Sequence, residues 1–328
     1  MRVKEITSPQ NPLIKSCVLL LQKKKERRKQ KAFLVEGFRE VQRAILSGYE
    51  VESLFYRSDL LTYTQVIELL SHSVEFKHSK PMSLSESTKP SLLSDEHIGY
   101  LHQLQHIHCS SAVFQKLAYR SEVVNIVALV KSKPSQQLPI LKAYTEQNNH
   151  DLTQASTPTI FDSSQRNSPP FILILEGVEK PGNLGAILRS ADAFGVHGVI
   201  LVNCSADIEH PNTIRNSLGA ALALDILELT LTETYDTLEE ANIPIYVTYL
   251  HASSKEPSQL PLQQACAFVL GAESTGASEQ WLIQGAQATL IPMVPQRVID
   301  SLNVSVASAI IMYEVQRQRM GSLFSTNS

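Results

Sequence analysis

Five polar side chains in the carboxy-terminal half stand where a buried apolar run gives way to a loop or a helix start: Asn183, Arg189, Glu273, Ser301 and Asn303. Ligands bind at the carboxyl ends of strands in open α/β sheets, so this placement marks them as candidates for substrate chemistry. They fall in three segments. In EKPGNLGAILRSADAFG (179–195), Pro181 and Gly182 make a turn and Asn183 stands where a helix N-cap would. At about 100° per residue, Leu184, Ile187, Leu188, Ala191 and Phe194 share one helix face. Arg189 falls on the other, one turn after Gly185, whose missing side chain leaves room beside the guanidinium. In VLGAESTGAS (269–278), Gly271 and Gly276 bracket Glu273, and glycine there permits positive φ or close backbone approach to a ligand. In IPMVPQRVIDSLNVSVASAIIMYE (291–314), a proline-interrupted loop leads into Ser301 and Asn303. Taken singly, each segment also reads as ordinary structure: a surface arginine, a tight turn, an N-cap.

The elements that would position these residues are legible from periodicity. FILILEG (171–177), VHGVILVN (196–203), IPIYVTYL (243–250), ACAFVLG (265–271) and ATLIPM (288–293) read as buried strands. A helix over 183–195 ends at a glycine, and a last helix spans about Leu302 to Arg319. Buried strands alternating with helices imply an α/β fold with a parallel sheet covered on both faces. The amino-terminal half reads as a smaller α/β domain. It has a helix over 12–31 opened by Pro12, a strand FLVEG (33–37), a helix from Phe38 to about Leu46 and a strand near Val51–Tyr56. It closes on EVVNIVALV (122–130). Residues 131–170 are dominated by Pro, Ser, Thr, Gln and Asn and read as a flexible linker. The expected division is 1–130, linker 131–170, and 171–328.

Charge separates the two halves. Residues 1–50 hold twelve Lys/Arg against five Asp/Glu, while the whole 328-residue chain carries a net −3. The centre is KKKERRKQK (23–31), where Lys23, Lys24, Lys25, Arg27, Arg28, Lys29 and Lys31 offer a surface for phosphate backbones, or else a solvated helix face. No apolar run reaches the roughly 20 residues a membrane span needs, and MRVKEITSPQNP lacks the apolar core of a signal peptide. A cytoplasmic protein is expected. Cys17, Cys109, Cys204 and Cys266 form no CxxC pair and read as free thiols. His102 and His106 have a spacing that can bind metal on a helix, within a cluster of His97, His102, His106, His108 and Cys109. No HExxH supports it, so a solvated histidine-rich face is expected and no metal. The glycine spacing fits no phosphate-cradling loop, and GxGxxG is absent at 171–195, which argues against a Rossmann enzyme acting on a small molecule.

Together and in this order, the three segments resemble the SpoU–TrmH family of RNA ribose 2′-O-methyltransferases, within the SPOUT superfamily. The resemblance covers residues 171–319 nearly end to end. ITSPQNPLIK through FLVEGFREVQRAI also resembles an RNA substrate-binding module related in fold to a ribosomal protein. The family resemblance implies a SPOUT sheet with a deep trefoil knot, S-adenosylmethionine as methyl donor, and a homodimer. It implies Asn183, Arg189, Glu273, Ser301 and Asn303 as catalytic residues, with Leu270, Gly271, Gly276, Ile291, Leu302 and Asn303 around the donor. Of two roles for Arg189, a charged grip on phosphate and developing oxyanion fits a guanidinium, which holds its proton firmly, better than a base does. Ribosomal RNA is the expected substrate. Transfer RNA methylation, and a catalytically silent RNA-binding or ribosome-assembly protein, are the alternatives. The sequence departs from the family pattern at VPQRVID (294–300), which is longer than usual and has no glycine.

Overall fold

The computed structural model describes residues 3–72, 92–119, 125–134, 138–149, 168–294 and 301–325. The chain forms two compact units, one of 1–134 with 207–223 and one of 135–206 with 224–328.

The first unit runs β1 (Lys4–Ile6), α1 (Pro12–Gln22), α2 (Lys24–Gln30), β2 (Ala32–Glu36), α3 (Phe38–Leu46), β3 (Val51–Arg57), α4 (Tyr63–Ser71), α5 (Asp95–Gln103), β4 (Gln105–Cys109), α6 (Ser111–Leu117) and β5 (Ile126–Lys131). Its five-stranded sheet has the order β1-β4-β3-β5-β2. β4 runs parallel to β1 and β3, and β5 antiparallel to β2 and β3. Alternation along β3 and β5 sends Leu54, Tyr56, Ala128 and Val130 to one core, and Phe55, Val127 and Leu129 to the other.

The single helix expected over 12–31 is broken at Lys23, whose φ of −128° and ψ of 114° are extended. The reason is Arg27. Its side chain is 2% exposed, and its Nη1 donates to the carbonyl oxygen of Leu20 at 2.5 Å. It thereby caps carbonyls that α1 leaves without intrahelical donors. Its Nε and Nη2 donate to Asp207 at 2.8 and 2.6 Å. Arg27 is therefore withdrawn from the phosphate-binding surface on which its neighbours were expected to place it.

The second unit contains α7 (Pro139–Asn149), β6 (Phe171–Glu176), α8 (Pro181–Ala193) and β7 (Gly198–Val202). The chain then lends α9 (Pro211–Asn216) and α10 (Ala220–Ala223) to the first unit. It returns through β8 (Ile226–Leu229), α11 (Leu231–Glu240), β9 (Ile245–Thr248), β10 (Cys266–Leu270), α12 (Gln280–Ile283), β11 (Gln287–Thr289) and α13 (Val304–Ser325). The sheet is six-stranded and wholly parallel, in the order β11-β9-β10-β6-β7-β8. β6, β7 and β10 are buried at every position, as continuous apolar runs require when both faces are covered. α11 and α12 cover one face, where Trp281, Leu231 and Leu238 join Ile172, Ile174 and Val269. α8 and α13 pack on each other and bury Leu184, Ile187, Ile311 and Met312.

Two expectations change here. β8 escaped the sequence reading because it is an edge strand of four residues with none fully buried. Part of the proline- and glutamine-rich stretch is not a linker: α7 forms within it, and Leu138 and Leu141 are 3% and 6% exposed in the sheet's core. Leu138, just before the helix, and Leu141 anchor it, with Ile140 and Tyr144 packed partly against the same core.

Candidate active site

β6 and β10 are neighbours at the centre of the parallel sheet. From β6 the chain winds outward through β7 and β8, then crosses to build β9, β10 and β11 on the other side. The strand order therefore reverses between β6 and β10, and their carboxyl ends frame a crevice of the kind in which α/β sheets bind ligands. A cleft of about 360 Å³ opens there, lined by Gly177, Lys180, Asn183, Ala272, Glu273 and Val304 among others. A larger open groove of about 590 Å³ lies along the end of α13 and contains none of the candidate residues.

Glu273 is the hub. It sits in the turn after β10, closed by the Gly276 amide donating to the Ala272 carbonyl at 2.9 Å. Gly271 lets this turn fold back on itself. A Cβ there would lie 2.0 Å from both the Ala277 nitrogen and the Gly276 carbonyl carbon. Gly276 adopts a φ of +69°, in the left-handed region. From this turn, Glu273 Oε1 accepts from Asn183 Nδ2 at 2.7 Å and from Asn303 Nδ2 at 2.6 Å. Its Oε2 accepts from Lys180 Nζ at 2.8 Å. The lysine's hydrogen bond holds the carboxyl below the usual glutamate range against the opposing effect of burial, with further help from Asn183 and the Val304 amide. An ionised carboxylate is an acceptor only, which is what three converging donors require.

Each asparagine is aimed by its own element. Asn183 was expected at the N-cap of α8, but Lys180 occupies that position and Pro181 opens the helix. Asn183 thus lies in the first turn, and its side chain is free to reach across to Glu273. Asn303 precedes α13 and caps it, its Oδ1 accepting from the amide and hydroxyl of Ser305 at 2.8 and 2.6 Å. Capping and participation in the site are thus the same fact: the cap fixes the Oδ1 side of the amide and leaves Nδ2 for Glu273.

The structure brings Asn183, Glu273 and Asn303 together. Arg189 and Ser301 are exposed and are not among the residues lining the cleft. Leu270 is buried at the end of β10, Ile291 and Leu302 are half-buried, and residues 295–300 of the altered loop lie outside the described residues. Sequence reasoning missed Lys180, although a cation three residues before Asn183 was visible. It also missed Glu176 at the end of β6, which accepts from the Ser278 amide at 2.8 Å and from Trp281 Nε1 at 2.9 Å. Those bonds tie the residues following the Glu273 turn to β6.

In the first unit, Lys23, Lys25, Arg28, Lys29 and Lys31 are exposed and Lys24 is half-buried. The histidine cluster is not a solvated face. α5 ends at Gln103, so His102 and His106 do not share a helix, and His106 is 1% exposed in β4. Its ring packs edge-on against Tyr63 with centroids 4.6 Å apart. Among the described residues, no group of three or more His, Cys, Asp or Glu side chains could hold a metal ion, and no helix is long and apolar enough to cross a membrane.

Residues 170–313 match the SpoU rRNA Methylase family, and residues 11–128 match an MRM3-like substrate binding domain. A tRNA (guanosine(18)-2′-O)-methyltransferase of Thermus thermophilus is 34% identical over 172 residues, which are 52% of this chain and 86% of that protein. A 23S rRNA (guanosine-2′-O-)-methyltransferase of Coxiella burnetii is 38% identical over 157 residues, covering 47% of this chain but only 61% of that one. The crystal structure of an RNA 2′-O ribose methyltransferase superposes with a TM-score of 0.66 at 30% identity, covering 96% of this chain and 99% of the other. An AdoMet-bound rRNA methyltransferase from Sinorhizobium meliloti shares the fold, with a TM-score of 0.71 at 22% identity over 96% of this chain and 98% of that one.

Proposed function

The chain belongs to the SpoU rRNA methylase family, and on that premise we propose that it transfers a methyl group from S-adenosylmethionine to a ribose 2′-hydroxyl of RNA. The observation that carries this reading is the convergence of Asn183, Glu273 and Asn303 beside a cleft at the reversal point of the sheet. The residues present fit the donor. At Gly271 the backbone of residues 276 and 277 comes so close that only a residue without a side chain fits, so main chain rather than side chain faces the end of β10. Leu250, Met293 and Val294, in the segments that follow β9 and β11, are 87%, 44% and 66% exposed, apolar side chains that a flat base would cover. Leu270, Gly271, Gly276, Ile291, Leu302 and Asn303 would hold it. When bound, the donor supplies an electrophilic methyl on a sulfonium.

The protein's own work is to orient the ribose and to stabilise charge. Asn183, fixed by Glu273, would hold the sugar through its carbonyl oxygen. Arg189 would stay protonated, grip the flanking phosphate and stabilise negative charge developing on the 2′-oxygen as its proton leaves. A base role would demand a far lower guanidinium pKa. Ser301 would contact the donor or the target nucleotide. Lys23, Lys24, Lys25, Arg28, Lys29 and Lys31 would attract the RNA backbone from a separate unit, with no metal required.

Ribosomal RNA is the favoured substrate, supported by the substrate-binding domain in the first unit and by the ribosomal RNA relative. A homodimer is supported by α13, where Val306, Ile310, Tyr313 and Met320 are 39–57% exposed. Their spacing forms one apolar stripe that a second copy would cover. A trefoil knot in the second unit and a cytoplasmic location complete the reading. It is tested by supplying labelled donor to the full chain with unmethylated ribosomal or transfer RNA and mapping 2′-O-methyl positions. Transfer to ribosomal RNA, lost in Arg189→Ala and not fully restored in Arg189→Lys, is expected. Transfer by Arg189→Ala at the wild-type rate rules out both roles for that residue. Labelling of transfer RNA alone replaces the substrate, and no transfer to either RNA removes the activity.

A further inference from the structure

Lys180 belongs to none of the three sequence segments' expected site residues, yet it stands at the cleft with a defined partner. Its side chain is 72% exposed, that of Glu273 28% exposed, and their charged atoms are 2.8 Å apart. Three side-chain donors, beside the Val304 backbone amide, share the two oxygens of one carboxylate. Lys180 takes Oε2, and both asparagine amides take Oε1. That division has a consequence for direction. Without Lys180 no side chain would hold Oε2, and the carboxylate could turn about its last bond against the two asparagines and the Val304 amide. With Oε2 held from the Lys180 side, Oε1 is the oxygen that faces Asn183 and Asn303.

The asparagine amides then have no freedom left. Asn303 is held on both sides, by Glu273 through Nδ2 and by Ser305 through Oδ1. Asn183 has its Nδ2 turned to Glu273, which leaves its Oδ1 to face elsewhere, with a weak contact from Asn303 Nδ2 at 3.3 Å. A carbonyl oxygen has two lone pairs. One remains for a hydroxyl donor at the cleft, as a ribose provides. The orientation of both amides follows from the network, since an amide turned the other way would set carbonyl oxygen against carboxylate.

We propose that Lys180 is a positioning residue for methyl transfer, which anchors Glu273 Oε2 so that Oε1 aligns Asn183 and Asn303 and the Asn183 carbonyl oxygen is presented to the ribose. The proposal rests on the methyltransferase reading for its kinetic consequences, while the anchoring of Glu273 stands independently of it. The pair also lowers the glutamate's pKa, with the Lys180 hydrogen bond the largest cause. Without the lysine, Glu273 would titrate at higher pH. A lysine that simply gripped RNA phosphate would have different signatures: a raised KM, a shallower salt dependence and an unchanged kcat.

The experiment compares the full chain with Lys180→Met and Lys180→Arg. Each is measured by thermal melt, by single-turnover transfer to RNA, and by carbon-13 NMR titration of the Glu273 carboxyl, assigned with Glu273→Gln. Lys180→Met should melt with the wild type, since the side chain is exposed. It should lose about tenfold in kcat, the order expected when a substrate-orienting group loosens by a fraction of an ångström. KM for RNA should stay within about twofold, well below the cost of a lost phosphate contact at low salt. The carboxyl titration should move to higher pH, and Lys180→Arg should recover most of both effects. An unchanged kcat, a loss confined to KM, or an unmoved carboxyl titration overturns the proposal. If the wild type itself transfers no methyl to RNA, the functional reading fails, and the carboxyl titration still decides whether Lys180 anchors Glu273.

Discussion

Gly271→Ala makes the sharpest demand on the site. The added Cβ would lie 2.0 Å from the Ala277 nitrogen and from the Gly276 carbonyl carbon, where ordinary contact begins at 3.4 Å. The opposing backbone must therefore retreat by about 1.4 Å, and because both atoms are main chain no rotamer change can absorb the clash. The retreat opens the turn that the Gly276 amide closes on the Ala272 carbonyl, and Glu273 lies inside that turn. Its bonds to Asn183 and Asn303, at 2.7 and 2.6 Å, cannot survive a displacement of that size. Overpacking of this kind costs about 1–3 kcal/mol. At roughly 2–4 °C per kcal/mol for a domain of this size, Tm should fall by about 2–12 °C. Misplacing a catalytic group by about 1 Å costs on the order of a hundredfold in rate. Calorimetry and single-turnover methyl transfer measure the two. Gly99→Ala is the control, because a Cβ there meets nothing within 4 Å and the residue lies inside α5. It should be neutral or stabilise by up to about 1 kcal/mol. Wild-type Tm and kcat in Gly271→Ala would refute the claim that the close approach of residues 271 and 276–277 holds Glu273 in place.

Two further outcomes follow from buried groups in the first unit. Arg27→Ala leaves Asp207 Oδ2 and the Leu20 carbonyl without the guanidinium donors, and should destabilise the protein by about 3–5 kcal/mol, as removal of one member of a buried pair does. Arg27→Lys should not restore it, since a single ammonium cannot reach both Asp207 and the Leu20 carbonyl; a melt of the lysine variant equal to wild type would contradict the role given to the fork. His106 donates from Nε2 to the Leu101 carbonyl at 2.9 Å while its Nδ1 has no hydrogen-bond partner, and burial, reinforced by His102 and His108, pushes its pKa below the usual 6.5. The unfolded chain then binds the proton that the folded chain refuses, so stability is fully present above pH 6.5 and is lost as pH falls below it, by up to about 1.4 kcal/mol per pH unit. Tm measured from pH 7.5 to 5 should fall more steeply in the wild type than in His106→Phe, and parallel curves would exclude the histidine as the cause.

Where one element's own residues carry the signal, the sequence alone determined the outcome. The unbroken apolar runs of β6, β7 and β10 can only be buried on both faces, and a parallel sheet follows. Asn183, Glu273 and Asn303 could be picked out because each stands where such a run, or the helix that follows it, changes character. Tertiary structure decided whatever depends on a partner distant along the chain. Arg27 looked like its six basic neighbours, and only Asp207, 180 residues away, makes it a buried cap. Lys180 gained meaning from a carboxylate 93 positions on. β8 and α7 lack a periodic pattern strong enough to announce themselves, and a few burials against existing layers hold them. Local pattern reports how much apolar surface a segment must hide. The choice of which charge meets which is made only when the crossing chain closes the sheet, because electrostatic pairing acts over a few ångströms and carries no periodicity for a sequence to display.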